Sequence, residues 1–171
     1  MIPSPKASEL SPYYQSYLKE YQGSDMLKDL IEQSDATQKF LRSVPSEKQG
    51  FRYEEGKWSI KEVVGHLSDT ERILSYRALR FARNDMTPLS GFEENAYTLN
   101  SNYHERTLKS ISDEILSVRN SSITLFSNMN EKMLEQTGIA NNNPVSVKAI
   151  LFFIIAHQVH HLNVIRIRYL K

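Results

Sequence analysis

The strongest constraint on the fold is an apolar segment near the C-terminus that leads directly into histidines. Residues 145–156 read VSVKAILFFIIA, and a helix built from them is apolar almost all round. A helix of that kind is usually buried among other helices. Its most apolar part, residues 149–156, is far too short to cross a bilayer, which takes about 20 residues. We therefore predict a helix that is buried inside a helical domain.

Helical periodicity recurs in four long segments and predicts an all-α fold, a four-helix bundle. The four helices are expected at about Ser24–Ser43, Ser59–Arg83, His104–Met129 and Ser146–Leu170. A long connection, Asn84–Asn102, joins the second helix to the third, and residues 50–57 and 136–143 are read as further connections. Residues 1–23 are predicted to be an N-terminal extension, and residues 24–171 the bundle domain.

Composition excludes several kinds of chemistry. The chain has no cysteine, so it can form neither disulfides nor thiolate metal sites, and any thiol chemistry would need a small-molecule thiol. Net charge is +1 with both signs intermixed, which gives no attraction to nucleic acid or to an anionic membrane. The first residues lack the apolar core of a signal peptide. We expect a cytoplasmic protein with neither a nucleic-acid nor a membrane partner.

Three of the five histidines are placed where a metal ion could be held. His157 and His161 are four residues apart on the fourth helix, so their rings share one face, and that face is otherwise apolar. Two imidazoles at this spacing can both reach one ion. His66 lies near the apolar stripe of the second helix, and bundles build metal sites from facing helices. The predicted metal ligands are His66, His157 and His161, with His160 as an alternative to His161.

The ordinary alternative is that these are core histidines whose ring nitrogens are hydrogen-bonded. Three inward histidines in one small bundle favour the metal over that alternative. Nitrogen ligands suit zinc or nickel, and also copper or iron, and they disfavour magnesium and calcium. Three protein ligands leave a fourth position for water or substrate, which is typical of catalytic zinc sites.

No catalytic residue can be assigned from the sequence, and Asp69 and Arg77 are weak candidates. Asp69 could accept the second N–H of a ligand histidine, because such histidines usually have a carboxylate or carbonyl partner. A surface ion pair is the stronger interpretation of Asp69. Arg77 could bind a substrate carboxylate or phosphate, although a solvated face shared with Arg80 and Arg83 is the more ordinary explanation.

Five further residues receive weaker predictions. Glu71 is a candidate to orient a ligand or move a proton, and Trp58 is expected to pack the start of the second helix. Tyr97 and Tyr103 could line the mouth of the site, although interior packing or an interface would explain them equally well. His104 is expected to be exposed and without a role.

Several motifs, taken in order, resemble the DinB/YfiT-like superfamily. They are KWSIKEVVGHLSDTE at residues 57–71, Arg77, LSGFEEN at residues 89–95 and AHQVHHL at residues 156–162. The resemblance spans residues 24–170 and implies a four-helix bundle that is usually a homodimer. It also implies one metal-binding histidine on the second helix and two, four apart, on the last. By position these are again His66, His157 and His161, while His160 matches a frequent histidine that is not usually a ligand.

The resemblance also indicates a range of functions. The superfamily includes bacillithiol S-transferases and mycothiol-dependent isomerases, in which the metal activates a low-molecular-weight thiol, and many members with no known activity. It therefore implies a metal-dependent transferase or hydrolase acting on a small-molecule substrate, with a low-molecular-weight thiol as one possible cosubstrate. The alternative is a non-catalytic metal-binding or stress-response module. The residues leave open whether the protein is an enzyme.

Overall fold

Four long helices make up most of the computed structural model, which describes residues 1–171. Their bounds are Met26–Arg42, Ile60–Ala82, Leu108–Ser127 and Val147–Val164, and the last continues as a π-helix, Ile165–Tyr169. We refer to them as the first to fourth helices. The predicted all-α bundle is confirmed.

Local capping explains where the helices begin. Ser59 and Glu62 form the expected reciprocal cap, in which the Glu62 carboxylate accepts a hydrogen bond from the Ser59 backbone N–H at 2.7 Å. The third helix begins at Leu108 and not, as predicted, at His104. The Thr107 hydroxyl accepts a hydrogen bond from the Ser110 N–H at 3.1 Å and so fixes the start four residues later.

A β-hairpin occupies the stretch that the sequence analysis read as a connection, and this is a correction. Thr137–Ala140 pairs antiparallel with Asn143–Ser146. Asn141 and Asn142 between them have φ values of 50° and 60°, as the two central residues of a tight hairpin turn require. The Leu89 N–H donates to the Ile139 carbonyl at 2.9 Å, so the long connection is attached to the hairpin.

Shorter helical segments complete the secondary structure. The long connection contains the helix Glu94–Leu99. The others are Ala7–Glu9, Pro12–Gln15, Ser46–Lys48 and Glu131–Leu134. The N-terminal extension packs on the bundle, because Ile2 and Leu10 are buried in its apolar core. The Met26 N–H donates to the Ile2 carbonyl at 2.8 Å and so holds this segment to the first helix.

The helices do not pack in chain order. The second helix packs against the third and fourth, and the first helix packs against the same two. The order around the bundle is therefore first, third, second, fourth. This order places the second helix beside the fourth, and the predicted metal ligands lie where the first half of the second helix meets the second half of the fourth.

A polar layer divides the core into two apolar clusters. It consists of one residue from each helix, namely Thr37, Glu71, Arg119 and Gln158, all of them buried. Arg119 donates to both carboxylate oxygens of Glu71, at 2.8 and 2.9 Å, and also bonds to the Gln158 side chain. Gln158 in turn donates to the Thr37 hydroxyl at 2.6 Å. The layer therefore links all four helices through side chains.

The fourth helix and its π-helical end, Val147–Tyr169, are long and apolar enough by composition to cross a membrane. Its most apolar window has a mean hydropathy of 1.4, and 61% of that window is buried inside the bundle. Burial against the other helices accounts for this composition.

We predict that Glu71→Gln destabilises the protein severely, because it leaves the Arg119 guanidinium buried without a counter-charge. Breaking one side of a buried ion pair typically costs about 3–5 kcal/mol of unfolding free energy. The measurement is urea denaturation. Lys109→Ala is the control, since Lys109 and Asp113 are exposed and such pairs contribute about 1 kcal/mol or less. Equal losses in the two variants would contradict the role given to the polar layer.

Candidate metal centre

The three predicted histidines converge at one point between the second and fourth helices. The Nε2 atoms of His66 and His157 lie 3.3 Å apart, and those of His161 and His157 lie 3.0 Å apart. One ligand atom from each residue lies within 4.8 Å of the other two. His66 and His157 are each only 7% exposed, and His161 is half-buried.

These distances suit a shared metal ion. Two nitrogens bound to one tetrahedral ion at about 2.0–2.1 Å are separated by about 3.4 Å. Three imidazole nitrogens that point at one another need a proton or a cation between them, since their lone pairs otherwise repel. The cluster contains no carboxylate. The donor set therefore fits a divalent transition metal and does not fit magnesium or calcium.

The three rings are held in the form that binds metal. Burial lowers the pKa of His66 to about 4. Burial, together with the nearby positive charges that His66 and His160 would carry, lowers the pKa of His161 to about 3. Burial is also the main cause that lowers the pKa of His157 well below its usual value. At neutral pH the rings are uncharged, and their lone pairs are available.

Thr70, and not Asp69, lies beside the second ring nitrogen of His66. The Thr70 Oγ1 is 3.4 Å from His66 Nδ1. An Nδ1–H facing this hydroxyl leaves Nε2 unprotonated and directed at the other histidines. Asp69 instead accepts a hydrogen bond from the Tyr103 hydroxyl at 2.8 Å and lies 3.8 Å from Arg72. The ion-pair interpretation of Asp69 therefore matches its position.

The structure separates His160 from His161. His161 belongs to the cluster, whereas His160 Nδ1 lies 3.2 Å from a carboxylate oxygen of Glu20 in the N-terminal extension. Trp58 packs on the start of the second helix as predicted, and its ring centroid also lies 4.7 Å from that of His66. The indole is therefore part of the site as well as of the packing.

The histidines form part of the wall of a cavity of about 350 Å³. Its aromatic wall includes Tyr13, Tyr14 and Tyr17 from the N-terminal extension, none of which was predicted to be near the site. Tyr14 stacks on Phe153 with ring centroids 4.3 Å apart. The hairpin adds Asn141 to the wall. The sequence does contain a signal for this wall, since the three tyrosines lie close together in the N-terminal extension.

Tyr97 and Tyr103 do not line this cavity, which corrects the prediction that they could. They lie along a separate cleft together with Asp69 and Arg106. The Tyr103 ring packs directly on Gly65, where an added Cβ would come within 2.2 Å of it. Glycine next to His66 therefore permits this close contact.

The remaining candidates fall into different environments. Arg77 is buried and lines the cavity. Arg80 instead pairs with Asp85 outside the cavity, and Arg83 ends the second helix. Glu71 is committed to Arg119 in the polar layer. His104 is exposed, as expected, and lies 3.7 Å from Glu105.

We predict that protein purified without a metal-affinity tag carries about one transition-metal ion per chain. The ion should be lost in His66→Ala and in His157→Ala, because each removes a converging nitrogen. It should be kept in the matched variant His160→Ala. Elemental mass spectrometry measures the content. An ion kept in His157→Ala and lost in His160→Ala would show that the site lies elsewhere.

The metal-free protein should lose stability as the pH falls from about 6.5 towards 4. In that interval the unfolded histidines bind protons, whereas folded His66 and His161, with pKa values of about 4 and 3, do not. The free energy of unfolding should therefore be constant above about pH 6.5 and decrease below it. Urea midpoints across this range measure the effect. A double variant, His66→Gln with His161→Gln, should show a shallower decrease, and an equal slope would refute the assignment.

Comparison with known proteins establishes the fold and the family of the chain. The fold resembles the solved structure of YfiT from Bacillus subtilis, described as "a probable metal-dependent hydrolase with an unusual four-helix bundle topology". The TM-score is 0.73, over 94% of this chain and 88% of that chain, at 13% sequence identity, which establishes likeness of fold alone. No functionally curated protein matches the sequence significantly. Residues 29–165 match the DinB superfamily, and the chain therefore belongs to that superfamily.

Proposed function

We propose that the protein is a metal-dependent hydrolase or transferase that acts on a small molecule held in the cavity beside the three histidines. One observation carries the proposal: the Nε2 atoms of His66, His157 and His161 converge at the wall of a cavity of about 350 Å³. That volume lies at the lower end of the range for small-molecule sites. A purely structural metal would need no adjoining cavity.

The cavity contributes binding and orientation. The Tyr14 and Phe153 rings stack at 4.3 Å and, with Tyr17 at 4.9 Å from Phe153, give an apolar surface for part of the substrate. Thr70 and Trp58 contact His66 and hold its ring in place. A divalent transition metal bound by the three histidines would lower the pKa of a ligated water or thiol.

Water and a low-molecular-weight thiol are the two nucleophiles that the proposal allows. The hydrolase option is supported by the likeness to YfiT, which is described as a probable metal-dependent hydrolase. The thiol option rests on the family resemblance in the motifs of the second and fourth helices. Because the chain has no cysteine, a thiol would have to be a cosubstrate. Homodimer formation, which the family resemblance implies, and a cytoplasmic location, which the sequence predicts, stay predictions.

We expect turnover to disappear on removal of the metal and to return when zinc or nickel is restored. Small esters and amides would be assayed without thiol, and an electrophilic bimane with bacillithiol, so that the two nucleophiles are separated. His157→Ala should be inactive, whereas His104→Ala, a change at an exposed histidine outside the cavity, should retain activity. If no substrate in either series is turned over and chelation lowers the melting temperature sharply, the protein is a non-catalytic metal-binding module and the proposal fails.

A further inference from the structure

Arg77 is a buried cation with no carboxylate partner. It is only 7% exposed, and no Asp or Glu lies within ion-pair distance of it. The other buried arginine, Arg119, is bonded to both oxygens of Glu71. Arg77 makes one hydrogen bond, from Nη2 to the Ser90 carbonyl at 2.7 Å. A buried charge without a counter-charge typically lowers the folding stability by several kcal/mol. Arg77 therefore differs from Arg119, whose charge is balanced inside the protein.

The unused donors of Arg77 open onto the cavity. A guanidinium has five N–H donors, and the Ser90 carbonyl takes one of them. Every fully buried side-chain nitrogen or oxygen in the protein has a hydrogen-bond partner. The Arg77 nitrogens without partners are therefore accessible, and Arg77 lines the cavity. The free side of the guanidinium is available to a ligand there.

Tyr14 offers a second donor in the same cavity. Burial raises the pKa of its hydroxyl to about 12, and the charge of Arg77 acts in the opposite direction. The hydroxyl therefore stays protonated at neutral pH. It makes no hydrogen bond within the protein and is not fully buried, so it is free to donate to a ligand.

The charge of the cavity limits what the ligand can be. Arg77 is the only lysine or arginine among the lining residues, and Glu94 is the only acidic one. A single guanidinium balances one negative charge and matches the planar, two-oxygen shape of a carboxylate. A phosphate dianion would bring a second negative charge, and no second lysine or arginine lines the wall to balance it.

Arg77 and the histidines lie at different positions along one face of the second helix. Arg77 follows His66 by 11 residues, which returns to nearly the same face about 16 Å farther along the helix axis. Thr70 and Leu74 lie between them on the same face and also line the cavity. A ligand that contacts Arg77 can therefore extend along this face towards the histidines.

We propose that Arg77 binds the carboxylate of a substrate that has an apolar or aromatic body and whose reacting bond lies at the histidines. Placing the reacting bond there rests on the proposed function. Recognition of the carboxylate by Arg77 does not need the metal, so the two can be tested separately.

The chain contains a single tryptophan, Trp58, and it lines the same cavity, so its fluorescence reports binding there. Metal-free protein would be titrated with phenylbutyrate, with its uncharged amide and with phenyl phosphate. The acid should bind about tenfold or more tightly than the amide, because charge-assisted hydrogen bonds are the strong ones. It should also bind more tightly than phenyl phosphate.

The variants identify the residue responsible. Arg77→Gln should abolish the preference for acid over amide, and Arg77→Lys should keep part of it. Arg80→Gln is the matched control, since Arg80 is three residues farther along the same helix and pairs with Asp85 outside the cavity. If Arg77→Gln does not fold, the guanidinium Nε–H resonance of Arg77 in the wild-type protein should shift with the acid and not with the amide.

The other results of these titrations each support or overturn carboxylate binding by Arg77. No preference for the acid, or a preference that survives Arg77→Gln, would overturn the inference, and tighter binding of phenyl phosphate would overturn the carboxylate. A preference that appears only in metal-loaded protein would assign the acid to the metal and leave the proposed function standing. If metal-free protein prefers the acid but metal-loaded protein turns over no substrate, carboxylate binding by Arg77 is supported and the proposed enzymatic function is refuted.

Discussion

The buried ion pair between Glu71 and Arg119 is the interaction on which the rest of the structure depends. It joins the second and third helices, and through Gln158 and Thr37 it reaches the other two. A shift of any helix by one turn would leave buried charges or amides without partners, at a cost of several kcal/mol. Gln158 directly follows His157, and Glu71 directly follows Thr70, which contacts His66. The pair therefore fixes the register that brings the metal-binding histidines face to face.

The histidines could be predicted from the sequence because their positions depend on helical periodicity alone. His157 and His161 share a face at four-residue spacing whatever the helix packs against. Arg119 carried a similar signal, since it follows Ile115 by four residues on an apolar stripe. Its partner could not be predicted. Pairing depends on which helices are neighbours, and the order first, third, second, fourth leaves no trace in the periodicity of any one helix.

The walls of the cavity were less predictable because they come from segments remote in sequence. Tyr14 lines the cavity because the N-terminal extension packs on Phe153 of the fourth helix. Asn141 lines it because the hairpin lies at the same cavity. The hairpin did have a local signal, two adjacent asparagines that tolerate positive φ. The positions of Asp69 and Thr70 follow from helix geometry. At about 100° per residue, the position four farther along lies about 40° from His66 around the helix axis, whereas the position three farther along lies about 60° away in the opposite direction.

Electrostatics connects the two ends of the cavity. Burial lowers the pKa of each of the three histidines, so their rings are neutral at neutral pH. Neutral ligands would leave a bound metal ion its full positive charge. Arg77 adds a positive charge farther along the same helix face, and Glu94 is the only acidic residue in the wall. Charges at a partly buried wall act more strongly on a ligand than charges in open water, since less water screens them. Arg77 therefore offers a place for an anionic group at one end of the cavity, while the neutral imidazole nitrogens of the three histidines offer a place for a metal cation at the other end.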